Sequence, residues 1–150
     1  MNEREAFVRQ FRELQPKFAR FFTRRLTQAK ISFPQFALLS QLSGPAGVSM
    51  TEVGRKLHIS KPAVTHLVDR LEKNKFLVRV PHREDRRVSL LQILPKGGKL
   101  VRAVQTQALG FLLKTLGGFD ADERKTIARF YSRLSQTLDR ELEATQEMRK

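Results

Sequence analysis

The sequence predicts a mainly α-helical fold with a small β-hairpin wing, a winged helix-turn-helix flanked by long helices. Three observations carry that expectation. Apolar residues recur at helical spacing along almost the whole chain. Capping signatures mark helix starts at Ser32, Ser49, Ser60 and Asp120. Only Leu77 to Leu94 combines β-branched and aliphatic residues around a polar loop in the manner of strands.

The elements follow in order. Phe7, Phe11, Leu14, Phe18, Phe21, Phe22 and Leu26 form one apolar helix face. Pro16 interrupts it, so a kink or two meeting helices are expected. Ser32 and Gln35 form a capping box ahead of Phe36, Leu38, Leu39 and Leu42, and Gly44-Pro45-Ala46-Gly47 stops that helix. Ser49 and Glu52 form a second box, opening a short helix with Val53 and Leu57. His58-Ile59 turns the chain, and Ser60 caps a helix running to about Lys73 or Asn74. The hairpin follows, with strands over Leu77–Val80 and Val88–Leu94. A fifth helix opens at Pro95–Gly98, presents Leu100, Val104, Ala108, Phe111, Leu112 and Leu116, and ends at Gly117-Gly118. Asp120 and Glu123 cap a sixth, striped by Ile127, Phe130, Tyr131, Leu134, Leu138 and Leu142.

Composition narrows the function. The 150 residues suit one domain with its own core, and the net charge is +14. That charge is uneven. Residues 55–87 hold ten Lys/Arg against four acids, residues 1–31 eight against three, and residues 120–150 seven of each. A surplus concentrated on two segments points to a polyanionic partner. The absence of cysteine excludes disulfides, thiolate metal sites and thiol redox sensing. No apolar run approaches the ~20 residues of a membrane span, and the first residues lack a secretory core. A cytoplasmic protein without a membrane role is expected. His58, His66 and His82 have no metal-ligand spacing, so neither a metal nor a cofactor is expected.

The candidate site is the helix after Ser60 with the hairpin tip. Val64, Leu67, Val68 and Leu71 must face the core, which turns Lys61, Pro62, Thr65, His66 and Asp69 outward. A helix docked in the major groove needs short polar and basic groups on its first turns. Ser60 and the helix N-terminus suit a phosphate. From the tip, Arg83, Asp85, Arg86 and Arg87 form a charged reach. Arg86 or Arg87 suits a narrow minor groove, with Asp85 pairing one of them. Ser49, Arg55, Lys56, Arg70 and Lys73 are phosphate-contact candidates. Phe18, Phe22, Phe36 and Phe111 can line a ligand cavity, although such spacing more often builds core.

Three stretches together resemble the MarR (multiple antibiotic resistance regulator) family: Phe33 to Leu39, Ser60 to Lys73, and Glu84-Asp85-Arg86-Arg87. The order and spacing match from about Ser32 to Leu94, and the flanking helices match in number and position. The resemblance implies a homodimer built by residues 1–31 and 96–150, around a DNA-binding lobe over residues 32–95. It implies a pseudo-palindromic double-stranded DNA operator, repression, and a small-molecule effector between the two regions. Three positions depart from the family pattern. Lys75 stands where the family has glycine, Asn74 being the candidate for the left-handed position. Pro95 replaces a capping threonine. Pro16 is atypical of the first helix.

Two other functions remain in view. The basic, Phe-rich first segment also fits a peripheral membrane or acidic-partner adaptor. No nucleophile–base pair, phosphate-binding glycine loop or metal spacing supports an enzyme.

Overall fold

A computed structural model describes residues 2–42, 44, 46–85 and 87–147, excepting the side chains of 146 and 147. Six helices and a three-stranded sheet are present among them. The first helix, α1 (Glu3–Gln28), starts at an Asn2/Glu5 capping box that the sequence reading overlooked. It runs unbroken through Pro16, so the two-helix alternative is not realised. Packing on both sides of the proline supports its continuity. Phe7 meets Phe130, and Phe18 and Phe21 both meet Phe111.

The second helix, α2 (Phe33–Ser40), carries both bonds of the expected Ser32/Gln35 box. It ends before the Gly44–Gly47 stop, of which Pro45 lies outside the described residues. Strand β1 (Val48–Ser49) then leads into α3 (Met50–Leu57). Only half of the expected Ser49/Glu52 box forms. Ser49 Oγ accepts the Glu52 N–H at 3.1 Å, while the Glu52 carboxylate pairs with Lys56. His58 turns the chain in the left-handed region, at φ 53°.

Ser60 caps α4 (Lys61–Lys73), whose Pro62 is tolerated in the first turn. The left-handed residue after α4 is Lys75, at φ 59°, and not Asn74, at φ −91°. Asn74 instead back-bonds through Nδ2 to the Arg70 carbonyl. Strands β2 (Leu77–Pro81) and β3 (Ser89–Ile93) form the hairpin, β3 one residue shorter at each end than expected. The unexpected β1 pairs with β3 through Val48–Leu91 and Ser49–Leu90, giving the order β1-β3-β2.

The last two helices are α5 (Pro95–Leu116) and α6 (Ala121–Glu147). Leu94 stands at the N-cap of α5 without a side-chain bond, as expected where Pro95 follows. Asp120 and Glu123 form both bonds of their box. The core sits in the central lobe, where Leu38, Leu39, Val53, Val64, Val68, Leu71, Leu77 and Leu91 are inaccessible to solvent. Leu26 of α1 and Val101 and Val104 of α5 close it. Beyond Val104 the apolar faces stay uncovered. Phe7, Phe11, Phe130, Tyr131, Leu134, Leu138 and Leu142 are all exposed.

Candidate nucleic-acid interface

Helix α4 is held from below by Val64, Val68 and Leu71, each fully buried. Burial of such side chains stabilises by about 1.5–3 kcal/mol apiece, which fixes the rotation of the helix. Gly54 lets α3 come close. An added Cβ there would lie 3.2 Å from the Ile59 carbonyl oxygen and 3.3 Å from Val64 Cγ2. The opposite face of α4 carries Lys61, Pro62, His66, Asp69 and Arg70, all exposed, with Thr65 half-buried. Thr65 Oγ1 donates to the Lys61 carbonyl at 3.1 Å, leaving its methyl and lone pairs outward-facing candidates for contact. Ser60 Oγ accepts the Ala63 N–H at 3.3 Å and keeps its own proton to donate.

The wing leaves this face on β2. Arg79 of β2 bridges two acids of α4. Its guanidinium donates to Asp69 Oδ1 at 2.5 Å and to Glu72 Oε2, and its backbone N–H donates to Glu72 Oε1 at 2.8 Å. Burial alone would lower the Arg79 pKa; the bonds to Asp69 and Glu72 outweigh it and hold the group above its ordinary value. Asp69 is therefore committed to the wing as well as outward-facing. The sequence offers no local sign of this clamp, because its partners lie seven and ten positions apart on different elements.

At the tip the chain closes on itself. The His82 N–H donates to the Val88 carbonyl, and the Val88 N–H to the Asp85 carbonyl. His82 Nδ1 accepts the N–H groups of Glu84 and Asp85 at 3.2 and 3.3 Å. Asp85 Oδ1 accepts the backbone N–H of Arg87 at 2.9 Å, so it orders the turn rather than pairing with that guanidinium. Arg83 and Arg87 are exposed; Arg86 lies outside the described residues.

The flanking candidates divide. Arg55, Arg70 and Lys73 have no acid partner among the described ion pairs. Lys56 is tied to Glu52 at 2.9 Å, and that hydrogen bond, with the lysine charge, keeps the Glu52 carboxyl below its ordinary value. Ser49 is engaged as a helix cap.

The phenylalanine candidates separate as well. Phe18 and Phe22 line an apolar cavity of about 450 Å³ with Leu26, Ile31 and Phe33. Phe36 lies behind it in the core, touching the rings of Phe22 and Phe33. Phe111 packs against Phe18 and Phe21 and does not line this cavity. Phe33, 55% exposed, was missed as a lining residue; its place in the capping sequence of α2 concealed it.

With this geometry in place, comparison with known proteins gives a consistent result. Residues 29–88 match the family model described as MarR family. The chain is 31% identical over 98 residues to the uncharacterized HTH-type transcriptional regulator YsmB of Bacillus subtilis (strain 168), covering 65% of this chain and 67% of that protein. It is 30% identical over 106 residues to the transcriptional activatory protein BadR of Rhodopseudomonas palustris, covering 67% and 60%. Among solved structures, Streptococcus pneumoniae FabT in complex with DNA superposes with a TM-score of 0.74 at 20% identity, covering 89% of this chain and 97% of that one. The S. aureus MepR–DNA complex gives 0.67 at 19% identity, covering 88% and 97%. Among the described residues no helix is long and apolar enough to cross a membrane. The chain belongs to the MarR family and is a DNA-binding transcription regulator with a winged helix-turn-helix.

Proposed function

We propose that the protein acts as a homodimeric repressor on a pseudo-palindromic operator. Residues 32–95 serve as the DNA-binding lobe, and residues 1–31 and 96–150 hold the dimer together. The observation that carries this reading is the outward polar face of α4, set beside a cationic wing and clamped to it by Arg79. In this reading Lys61, Pro62, Thr65 and His66 face base edges, and Ser60 and Arg70 hold the flanking backbone. Arg87, with Arg83 and Arg86, enters the minor groove, and Asp85 orders the backbone at Arg87. Arg55 and Lys73 contact phosphates, with Lys56 weakened in that role by Glu52. The exposed stripe from Phe130 to Leu142, with Phe7 and Phe11, supports a second copy of the chain as its cover. An effector, where one acts, fits the cavity at Phe18, Phe22 and Phe33. The membrane-adaptor alternative is not favoured by the relatives, which are named as transcriptional regulators.

A gel-shift titration against the protein's own upstream intergenic region tests the proposal. Lys61→Ala with Arg86→Ala is expected to abolish the specific complex at moderate salt. Removing one phosphate-bound cation reduces the salt slope by about one. Unchanged binding by that double variant would overturn the assignment of α4 and the wing.

A further inference from the structure

A second cavity, of about 550 Å³, lies between α1 and α5 and differs in kind from the phenylalanine cavity. Lys17, Arg20, Phe21, Arg24 and Arg25 of α1 line it with Gln107 of α5. It therefore gathers four cations, and no carboxylate lines it. None of the four joins an ion pair among the described residues. Arg25 Nε donates to Gln107 Oε1 at 2.6 Å, which fixes that guanidinium against the neighbouring helix.

The arrangement is costly for the helix that carries it. Lys17, Arg20 and Arg24 follow one another at three- and four-residue steps, so they share a face and repel one another. A merely solvated helix avoids this by interspersing acids, as α6 does where Asp122 pairs with Lys125 at 2.9 Å. At about 100° per residue, the Lys17–Arg20–Arg24 face also points away from the Phe7–Phe11–Phe18 stripe. A dimer formed on that stripe leaves these three cations uncovered, while Arg25 shares the azimuth of the stripe and is held toward α5 by Gln107. The site is remote from the wing and α4: Gln107 lies ten positions beyond Gly97 on α5, about 15 Å along the helix.

Charge identifies the ligand class. A monoanionic aromatic acid would leave three of four cations unmatched. A chain of phosphates supplies several charges and acceptor oxygens, which guanidinium groups bind in bidentate fashion. We propose that the α1–α5 cavity binds a small polyphosphate, its phosphate chain lying across Lys17, Arg20 and Arg24 and reaching the Gln107-anchored Arg25. The site stands apart from the DNA-binding reading and does not depend on it.

Calorimetric titration of the full-length protein, free of DNA, tests this with ATP, inorganic tripolyphosphate, benzoate and poly-glutamate. Arg20→Gln with Arg24→Gln is expected to weaken ATP and tripolyphosphate by roughly tenfold or more while leaving the ligand-free melting curve in place. Gln107→Glu, which puts a carboxylate beside Arg25, is expected to weaken both without removing a cation. Two charge-matched controls on the polar face of α6, Arg129→Gln with Arg133→Gln and Arg133→Gln with Arg140→Gln, should bind as the parent does. Tighter binding of ATP than tripolyphosphate assigns the site to a nucleotide, and equal binding assigns it to the phosphate chain alone. The proposal fails if neither phosphate compound binds, or if the controls lose as much as the α1 variant. It fails equally if benzoate matches them at the same arginines, or if poly-glutamate binds more tightly, which would mark an acidic protein surface instead.

Discussion

Replacing Arg79 with glutamine should loosen the wing from α4, and the loss can be worked out bond by bond. The Arg79 side chain is 26% exposed, Glu72 is 33% exposed and Asp69 60%. The Glu72 arm is a charge-assisted pair that is largely shielded, worth about 1.5 kcal/mol. The Asp69 arm is mostly solvated, and screening reduces it to about 0.5 kcal/mol or less. The backbone bond from the Arg79 N–H to Glu72 survives the substitution. A destabilisation of about 2 kcal/mol follows, read as a lower urea midpoint at unchanged slope. Protein concentration must be held fixed, because the proposed dimerisation would shift the midpoint as well. Double-mutant cycles with Glu72→Gln and Asp69→Asn separate the two arms. A coupling larger for Asp69 than for Glu72, or none for either, would refute the account of the clamp.

Three further outcomes follow from packing. Gly97→Ala places a Cβ 2.3 Å from the Phe76 carbonyl oxygen and 2.9 Å from Ile93 Cγ1; backbone must move, at a cost of about 2–3 kcal/mol in urea unfolding. Lys75→Gly relieves a left-handed residue and should raise stability by about 0.5 kcal/mol after the entropy of a freer unfolded chain, whereas Lys75→Val should lower it. Leu134→Glu puts a charge in the middle of the exposed α6 stripe; light scattering should show a monomer with its far-ultraviolet spectrum largely retained.

What the sequence made legible was local. The Ser32/Gln35 and Asp120/Glu123 boxes, the Ser60 cap and the buried face of α4 each depend on residues within about one helical turn to three turns of one another. The overlooked features depend on the assembled fold. Strand β1 has only two residues, and its pairing with Leu90 and Leu91 spans some forty positions. The Arg79 clamp joins a strand to a helix. Lys75 takes the left-handed position because the chain must reverse there to bond Phe76 N–H to Leu71 and to start β2, whatever residue the preference favours. Phe33 acquires its role only when α1 folds over α2. At the candidate interface, which side chains face outward followed from periodicity, while the engagement of Asp69 and Lys56 inside the chain did not; Asp85 was expected to pair with an arginine and does meet Arg87, through its backbone N–H.

In the proposed dimer, the junction between α4 and α5 offers a route by which a change among residues 96–150 would reach α4, the helix proposed to face DNA. The Leu94 N–H donates to the Phe76 carbonyl at 2.9 Å, and Lys96 Nζ donates to the Asn74 carbonyl at 2.9 Å while lying 4.2 Å from the centroid of the Phe76 ring. Gly97 removes the side chain that would hold the two segments apart. These ties join α5 to the C-terminal end of α4, and the Arg79 clamp joins α4 to the wing, so a displacement of α5 is expected to be passed to both. Helix α5, of 22 residues, is about 33 Å long. A tilt of about 10° at one end therefore displaces the other by about 6 Å. In the proposed dimer both copies contribute, against half-sites spaced roughly 34–36 Å apart. A modest change of packing between the exposed stripes of α1 and α6 would thus be enough, in that dimer, to take the two copies of α4 out of register with successive major grooves. Affinity for an operator can then be controlled without altering a single residue that touches it.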